Sequence, residues 1–409
     1  MSSENKNLAS SSVNEDSVLN LKDLKVRVID SLAELKAEIW DQCLGLSGSP
    51  FLRHSFLRGL EVTACVGGQS GWYPKYVLVE HEDQLVGASP AYIKTHSQGE
   101  FIFDWSWADA AHQMGLPYYP KLVVSSPFSP VGSEKLLCDP RLSIAHRNNI
   151  RKTLLKGLRQ VCTEERLSGL HLLFVSDEEL ELLGEQGLLK RHTLQFQWEN
   201  ENYQNFEDFL ARFRSKKRNQ IKRERRRVNE SGVEVKAYCG AEIKEEHISL
   251  IYKFYQNTVE KYYFGNLYLN QDFFRYLYEH QREDLCILLA EQNNQVIGGS
   301  FNLASDGVLY GRYWGIDQDI EIDHLHFEVC SYRGIELCIE KGWRRFEAGA
   351  GGGSHKYGRG FLPKVIYSAH EVYLPGFNHA LSELLNRERQ SLAKELLEIQ
   401  GEVLKLKND

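Results

Sequence analysis

Short runs of β-forming residues alternate with turn-forming pairs in the second half of the chain. The runs 285–291, 295–303 and 308–315 are rich in apolar, β-branched and aromatic residues, and two pairs separate them, Asn293-Asn294 and Asp306-Gly307. Such pairs favour the tight turns of β-hairpins. The pattern therefore predicts three antiparallel strands in succession.

A helical period follows the third run. Apolar residues recur there at Leu325, Val329, Ile335 and Ile339. Asp323 is a residue type that caps helix N-termini, and Gly342 is one that ends helices. We therefore predict a helix from Asp323 to about Lys341 and a strand over 343–350.

The first half carries a similar order of elements. The predicted strands are 76–81, 84–95, 101–105 and 121–125, with a short helix near 108–114. Two sequence matches link the halves: 51–60 is similar to 268–277, and 84–89 is similar to 295–300, at offsets of 217 and 211 residues. Self-similarity in the same order indicates a duplicated structural unit.

These elements predict an α/β fold of two tandem domains with mixed, largely antiparallel sheets. The predicted domains cover 25–195 and 196–377, after a disordered tail at 1–24. Further helices are predicted at 142–167 and 205–229. The C-terminal region, 378–409, carries leucines at helical spacing and is predicted as a helix that packs on the protein or forms a dimer seam.

Composition places the chain among globular proteins. Of its 409 residues, 42% are hydrophobic and 26% are charged, which excludes a mostly disordered chain. No run of 18 apolar residues occurs, so no membrane span is predicted. The N-terminus resembles neither a secretory signal nor a transit peptide, and the eight cysteines show no C-x-x-C spacing. We expect reduced thiols and a cytoplasmic location.

One basic segment departs from the acidic balance of the chain. The net charge is −7, but 212–227 contains ten Lys or Arg residues and one Glu, which leaves −16 for the remainder. On a helix, Arg218, Lys222 and Arg225 lie along one stripe. Such a stripe can contact the phosphates of a tRNA or another polyanion, or it can be an ordinary solvated helix face.

Motifs in both halves are similar to those of a known family. They include Trp107-Ala-Asp-Ala-Ala111, Leu116-Pro-Tyr-Tyr-Pro-Lys-Leu122, Gln195-Phe-Gln-Trp198, Gly311-Arg-Tyr-Trp-Gly315, His326-Phe-Glu328 and Glu347-Ala-Gly-Ala350 with His355-Lys356. Together with the order of elements in each half, they resemble the FemAB-like acyltransferases of the GNAT superfamily. The family has a Glu before the His-Lys pair, whereas this chain has Gly351, Gly352, Gly353 and Ser354 there.

The resemblance implies two GNAT-like domains and an N-acyltransferase that moves an acyl or aminoacyl group from an activated donor to a small-molecule amine. It implies acyl-CoA as the donor and no metal. Aminoacyl-tRNA, the donor of Fem-type transferases, is the alternative. A further alternative is a non-catalytic scaffold that binds a polyanion or a protein on a transferase fold.

The glycine-rich loop after the predicted strand 343–350 is a candidate donor site. Backbone N–H groups at Gly351 and Gly352, with the side chains of Ser354, Lys356 and Arg359, suit a phosphate or carboxylate. His355 is a candidate catalytic residue beside them. The loop lacks both the Walker and the dinucleotide fingerprints, so neither ATP nor NAD is predicted. The alternative is a surface loop with solvated charges.

Three further residues are candidates for the chemistry. Glu328, in a partly apolar helix, is the candidate base, unless it forms a structural ion pair with Arg312 or Arg333. Arg312 and Tyr313 end the third strand and are candidates to reach the acyl carbonyl, unless they belong to the core. Strand alternation places these two side chains on opposite faces.

The loop 317–323 argues against the usual place of a coenzyme A pyrophosphate. Acidic residues occur at Asp317, Asp319, Glu321 and Asp323, and the R/Q-x-x-G-x-G/A pattern of GNAT enzymes is absent. The carboxylates are expected to repel phosphate and to attract an amine, or to complement the helix dipole. Acyl-CoA stays narrowly ahead of aminoacyl-tRNA as the expected donor.

Overall fold

The structure, a computed structural model, describes residues 23–44, 48–261, 266–350 and 353–399. Almost all of the predicted tail at 1–24 lies outside these ranges. The candidate residues Gly351 and Gly352 and the side chain of Ser354 also lie outside the described part.

The first half contains nine strands and five α-helices within the described ranges. In chain order they are β1 (Lys25–Ile29), α1 (Ala37–Asp41), α2 (His54–Val62), β2 (Trp72–Pro74), β3 (Tyr76–His81), β4 (Gln84–Ser89), β5 (Ala91–Lys94), α3 (Trp105–Gln113), β6 (Lys121–Val124), β7 (Leu137–Cys138), α4 (Ile144–Glu164), β8 (Gly169–Val175), α5 (Asp177–Glu185) and β9 (Leu189–Glu199).

The second half begins with the basic segment. In chain order its elements are α6 (Phe206–Ala211), α7 (Ser215–Glu230), β10 (Val233–Cys239), α8 (Glu245–Glu260), α9 (Gln271–His280), β11 (Leu285–Gln292), β12 (Gln295–Ser305), β13 (Val308–Ile316), α10 (Leu325–Phe327), a π-helical turn (Glu328–Tyr332), α11 (Arg333–Glu340), β14 (Arg345–Glu347), α12 (Ser354–Tyr357), β15 (Leu362–Val372) and α13 (Phe377–Ile399).

Two sheets organise these strands. One has eleven strands in the order β10-β11-β12-β13-β14-β9-β15-β8-β6-β5-β2, and the other has four in the order β1-β3-β4-β7. The pairs β6–β8 and β13–β14 are parallel and the other pairs are antiparallel. The predicted fold class is therefore confirmed: an α/β protein with mixed, largely antiparallel sheets and a C-terminal helix. The predicted boundary between 195 and 196 stays a prediction and falls within β9.

The two matched sequence segments occupy equivalent strands. In the first hairpin Val79 faces Gly87 and Glu80 faces Leu85, so a bulge lies between them. In the second hairpin Ala290 faces Gly298 and Glu291 faces Val296. All four offsets are 211 residues. A bulge at the same place in both hairpins supports the duplication, because bulges are specific features of a strand pair.

The matched helices α2 and α9 pack against each other. The rings of Phe56 and Phe273 meet edge to face, with centroids 5.3 Å apart. A Cβ atom at Gly59 would lie 2.7 Å from the ring of Tyr276, so only glycine permits this approach. The duplicated units therefore share a core across the two halves.

The first half departs from the predicted pattern after β5. The predicted strand at 101–105 is wrong: Phe101 has φ 61°, and Asp104 and Glu100 are buried around Lys121 instead of alternating in a sheet. The third strand of the repeat is β6. The helix that crosses between the parallel strands is α4, with α3 in an inserted segment. The pattern of apolar residues does not indicate this insertion, because buried polar residues stabilise it in place of an apolar face.

Helix boundaries differ in two other places. Asp323 is not the predicted cap, since His324, with φ 69°, directly precedes α10. The predicted helix at 205–229 is two helices, because Phe213 is buried in the core between α6 and α7. Within the described ranges, no helix has the length and hydropathy needed to cross a membrane.

Candidate active site

A cavity of about 290 Å³ lies where β13 and β14 separate. The two strands pair in parallel only as far as Tyr310 and Glu347, beyond which they diverge. We call it the Lys356 cavity. Its lining comprises Ser300, Asn302, Gly311, Arg312, Tyr313, Trp314, His326, Cys330, Ala348, Ala350, His355 and Lys356. The structure thus brings four candidate residues together: Arg312, Tyr313, His355 and Lys356.

Lys356 is held by the backbone at one wall of this cavity. Its Nζ donates hydrogen bonds to the carbonyl oxygens of Ala348, at 3.0 Å, and Gly349, at 2.8 Å. Burial lowers the pKa of Lys356 to about 8. An amine fixed in this way can donate to an oxyanion when charged, and it loses its proton at mildly alkaline pH.

Two imidazoles line the cavity beside Lys356. Burial, together with the charge of Arg359, lowers the pKa of His326 to about 4. Burial and the charge of Lys356 also lower the pKa of His355. Both rings are therefore neutral near pH 7, and a neutral imidazole can accept a proton.

A strand bulge brings Arg312 and Tyr313 to the same cavity. Tyr313 faces Phe301 on β12, whereas Gly311 faces Asn302, so the register shifts at Arg312. The expectation that these two side chains occupy opposite faces is therefore wrong for this cavity, since the bulge interrupts the alternation. Arg312 donates to the carbonyl of Phe128 in the first half. Burial raises the pKa of Tyr313, which keeps its hydroxyl protonated.

Glu328 lies outside the Lys356 cavity. Both its carboxylate oxygens accept from Arg225, the shortest contact being 2.9 Å, and Arg225 also contacts Glu336. Burial raises the pKa of Glu328. The geometry favours the ion-pair interpretation, with Arg225 as the partner instead of Arg312 or Arg333.

Arg359 supports the loop and does not line the cavity. Its Nη1 donates to the carbonyl of His355 at 2.8 Å, and its Nη2 donates to Glu224 Oε2 at 3.0 Å. The guanidinium stacks 3.2 Å from the ring centroid of Phe327. Sequence reasoning missed Glu224, although a single acid within a run of ten basic residues was a signal for an inward-facing partner.

The basic helix α7 does not present its predicted stripe intact. Arg225 points inward, and Lys222 pairs with Glu207 at 2.6 Å. Arg218 is half-buried. Exposed cations remain around it at Arg214, Lys216, Arg223 and Arg227. The structure therefore separates the three predicted residues, while α7 keeps a basic surface on other positions.

A second cavity, of about 550 Å³, lies between residues of the two halves. We call it the Glu347 cavity. Its lining comprises Gly132, Ser133, Glu134, Arg147, Val175, Ser176, Asp177, Glu178, Gln197, Arg345, Glu347, Lys364, Val365, Ile366 and Tyr367. Burial raises the pKa of Glu347. Glu347 opens the motif 347–350, and the sequence alone indicates no role for it.

The acidic residues of 317–323 line neither of the two cavities. Asp317 pairs with Lys253, while Asp319, Glu321 and Asp323 are exposed. Within the described residues, no three His, Cys, Asp or Glu side chains lie close enough together to hold a metal ion.

Comparison with known proteins gives one family and several similar folds. Residues 31–404 match the profile of the FemAB-like family, described as peptidoglycan biosynthesis/recognition. No curated protein matches the chain. Among solved structures, FemX is similar with a TM-score of 0.51 and 10% identity, over 88% of this chain and 99% of FemX.

Two other solved structures have lower scores. L-PGS from Bacillus licheniformis has a TM-score of 0.47 and 11% identity, over 81% of this chain and 94% of that protein. A tandem GNAT protein from the clavulanic acid biosynthesis pathway has a TM-score of 0.45 and 10% identity, over 86% of this chain and 99% of that protein. At such identities only the fold is compared.

Proposed function

The chain belongs to the FemAB-like family and is a transferase, and from that premise we propose that it moves an acyl or aminoacyl group from an activated donor to an amine in the Lys356 cavity. The observation that carries the proposal is the meeting of Arg312, Tyr313, His355 and Lys356 around one opening between two strands. We keep 25–195 and 196–377 as the two proposed domains.

Each of these side chains suits one part of acyl transfer. The attacking amine must lose a proton, and the neutral ring of His355 can accept it. The carbonyl oxygen becomes negative, and Lys356 and Arg312 are cations that can donate to it. Tyr313 keeps its proton and can give it to the leaving group. Lys356 and Arg312 would thus stabilise the negative charge that develops on the carbonyl oxygen.

Acyl-CoA is the donor that we place first. A cavity of about 290 Å³ holds an acyl group and the end of a thioester arm, but not a whole nucleotide. The acidic residues of 317–323 disfavour pyrophosphate there, so its phosphates must lie elsewhere on the surface. We propose the backbone N–H groups of the glycine-rich loop as their contacts, with Arg359 holding the neighbouring carbonyl of His355 in place.

Aminoacyl-tRNA is the second candidate, favoured by the exposed cations of α7. A donor held through six or more phosphate contacts should lose about 10³-fold in affinity between 50 and 200 mM salt. Coenzyme A, with three phosphates, should lose far less.

The family description favours a peptidoglycan precursor as the amine acceptor. The expected compartment is the cytoplasm.

Purified protein mixed with alanylalanine as the amine, and with acetyl-CoA or alanyl-tRNA as the donor, tests the proposal. Mass spectrometry should detect an amide product from one of the two donors. The salt dependence of donor binding then decides between them. If both donors are recovered unchanged with this and other free amines while the protein is folded, a binding scaffold is the better account.

A further inference from the structure

The Glu347 cavity is the counterpart of the Lys356 cavity in the duplicated fold. Each lies beside a parallel strand pair, β6–β8 in the first half and β13–β14 in the second. The Glu347 cavity is lined by residues that follow β6, by Arg147 on the crossover helix α4, and by residues that follow β8. The Lys356 cavity is lined by the end of β13, by His326 and Cys330 on the crossover helix, and by residues that follow β14. Duplication therefore supplies two pockets of related origin with different linings.

Two buried acceptor atoms in this cavity lack partners. Glu347 is 5% exposed and Gln197 is 8% exposed. Within the described part of the chain, Glu347 Oε2 and Gln197 Oε1 have no hydrogen-bond donor. Arg345 occupies only the other oxygen of Glu347, at 3.0 Å. A buried acceptor without a donor costs free energy, so these two atoms suit a ligand that brings N–H groups.

Cationic side chains line the same cavity. Arg147 and Lys364 both contribute to the lining. Arg147 Nε is buried, and no described residue accepts a hydrogen bond from it. Lys364 is exposed. Three other acids line the cavity, and each has a partner besides these two cations. Arg151 contacts Glu134 at 2.7 Å and Glu178 at 3.6 Å, and Asp177 accepts a hydrogen bond from Tyr367. A carboxylate on a ligand would find its partners here.

We propose that the Glu347 cavity binds a zwitterionic, peptide-like ligand. Its ammonium group is held by Glu347 and Gln197, and its carboxylate by Arg147 and Lys364. A volume of about 550 Å³ is sufficient for a small peptide. Naming this ligand as the amine acceptor rests on the proposed transferase function, whereas the binding itself does not.

The backbone connects this cavity to the site of transfer. Ala348, the residue after Glu347, lines the Lys356 cavity, and its carbonyl accepts the hydrogen bond from Lys356. The charge of Arg312, which lines that cavity, also acts on the carboxyl group of Glu347. An acceptor anchored at Glu347 therefore lies next to the residues that would act on the donor. For transfer, its ammonium group leaves Glu347, gives a proton to His355 and attacks the donor carbonyl in the Lys356 cavity.

Three related probes separate the two charges of the ligand. Alanylalanine carries both charges, N-acetylalanylalanine lacks the ammonium, and alanylalaninamide lacks the carboxylate. Calorimetry or saturation-transfer NMR on the full chain should show the tightest binding for alanylalanine. Each capped probe should bind at least about tenfold more weakly, the value of one lost charge-assisted hydrogen bond. Equal binding of all three probes, or no binding of any, overturns the proposal.

Two variants assign the charges to residues. Glu347→Gln should weaken alanylalanine at least about tenfold and leave N-acetylalanylalanine unchanged. Lys364→Met, at an exposed position, should weaken alanylalanine and leave alanylalaninamide unchanged. Lys394→Met, at a position on α13 whose side chain is 80% exposed, is the control and should keep peptide binding. If Glu347→Gln fails to fold, the Lys364→Met series decides, and unchanged binding in that series overturns the assignment.

The outcomes also separate this proposal from the transferase function. Peptide binding that depends on Glu347 without any transfer supports the cavity and contradicts the enzyme. Transfer to a peptide amine at the same rate and KM in Glu347→Gln and Lys364→Met supports the enzyme and contradicts the cavity.

Discussion

Removing the Glu224 carboxylate should destabilise the protein more than any exposed acid on the same helix. Glu224 is 4% exposed and accepts from three donors: Tyr332 Oη at 2.5 Å, Gln220 Nε2 at 2.8 Å and Arg359 Nη2 at 3.0 Å. Burial alone would raise the pKa of Glu224, but these hydrogen bonds and the charge of Arg359 hold it below its usual range. The ionised form is therefore the stabilised one.

The magnitude follows from what Glu224→Ala leaves behind. Arg359, whose side chain is 8% exposed, would lose its carboxylate partner. Breaking a buried ion pair from one side costs about 3–5 kcal/mol. Urea unfolding, followed by circular dichroism, should show a loss of this size in the free energy of unfolding. Because the folded pKa is depressed, this contribution is present above the unfolded pKa and is lost as pH falls through the folded value.

Glu230→Ala on the same helix is the matched control. Its side chain is 66% exposed and pairs with Arg226 at 3.6 Å, so the expected loss is about 0–1 kcal/mol. If the two variants differ by less than about 1 kcal/mol in the free energy of unfolding, the view that Glu224 anchors Arg359 is refuted. An exposed ion pair contributes about 0–1 kcal/mol, so Glu224 would then count for no more than a surface residue.

Three further results are expected. Glu328→Gln should lower the unfolding temperature and leave kcat nearly unchanged, since Glu328 faces Arg225; a folded variant with a large loss of kcat would restore it as a catalytic candidate. Gly315→Ala should destabilise strongly, because its Cβ would clash with the backbone of Phe254, whereas Gly353→Ala meets no atom within 4 Å and should be tolerated; equal melting temperatures would contradict the packing described. Since burial lowers the pKa of Lys356 to about 8, kcat/KM should fall as pH rises through that value, and Lys356→Arg should remove the fall; a flat wild-type profile would contradict a role for the charged amine.

The hairpins and the duplication could be predicted from sequence because they depend on local signals. Turn pairs and alternating runs predicted β11, β12 and β13 within a few residues, and a six-residue match predicted equivalent strands in both halves. Such signals are carried by neighbouring residues. They survive without knowledge of tertiary contacts.

The inserted segment of the first half could not be predicted in the same way. Lys121 Nζ donates to Glu100 at 2.8 Å and to Asp104 at 2.5 Å, and all three residues are buried. This charged cluster replaces the apolar period that a sequence pattern would detect. Its members are 17 and 21 residues from Lys121, so their pairing depends on long-range structure.

The candidate site was predicted in part for a similar reason. The end of β13 and the loop before β15 were both singled out, and the structure brings them together. The inward turn of Arg225 and the unpartnered oxygen of Glu347 depend on contacts between distant elements. No residue type reveals them, since the same Glu can be a base, an ion-pair partner or a ligand-binding group.

The central claim is that acyl transfer occurs in the Lys356 cavity, and a single-turnover rate tests it most directly. The acyl donor that wild-type protein uses is mixed with excess enzyme and amine, and amide formation is timed for wild type, Lys356→Met and Lys394→Met. Lys394 has an 80% exposed side chain on α13 and serves as the matched control. The account predicts a rate about 10²–10³-fold lower for Lys356→Met, the usual cost of an oxyanion donor, and an unchanged rate for Lys394→Met. A folded Lys356→Met protein that transfers as fast as wild type would contradict it.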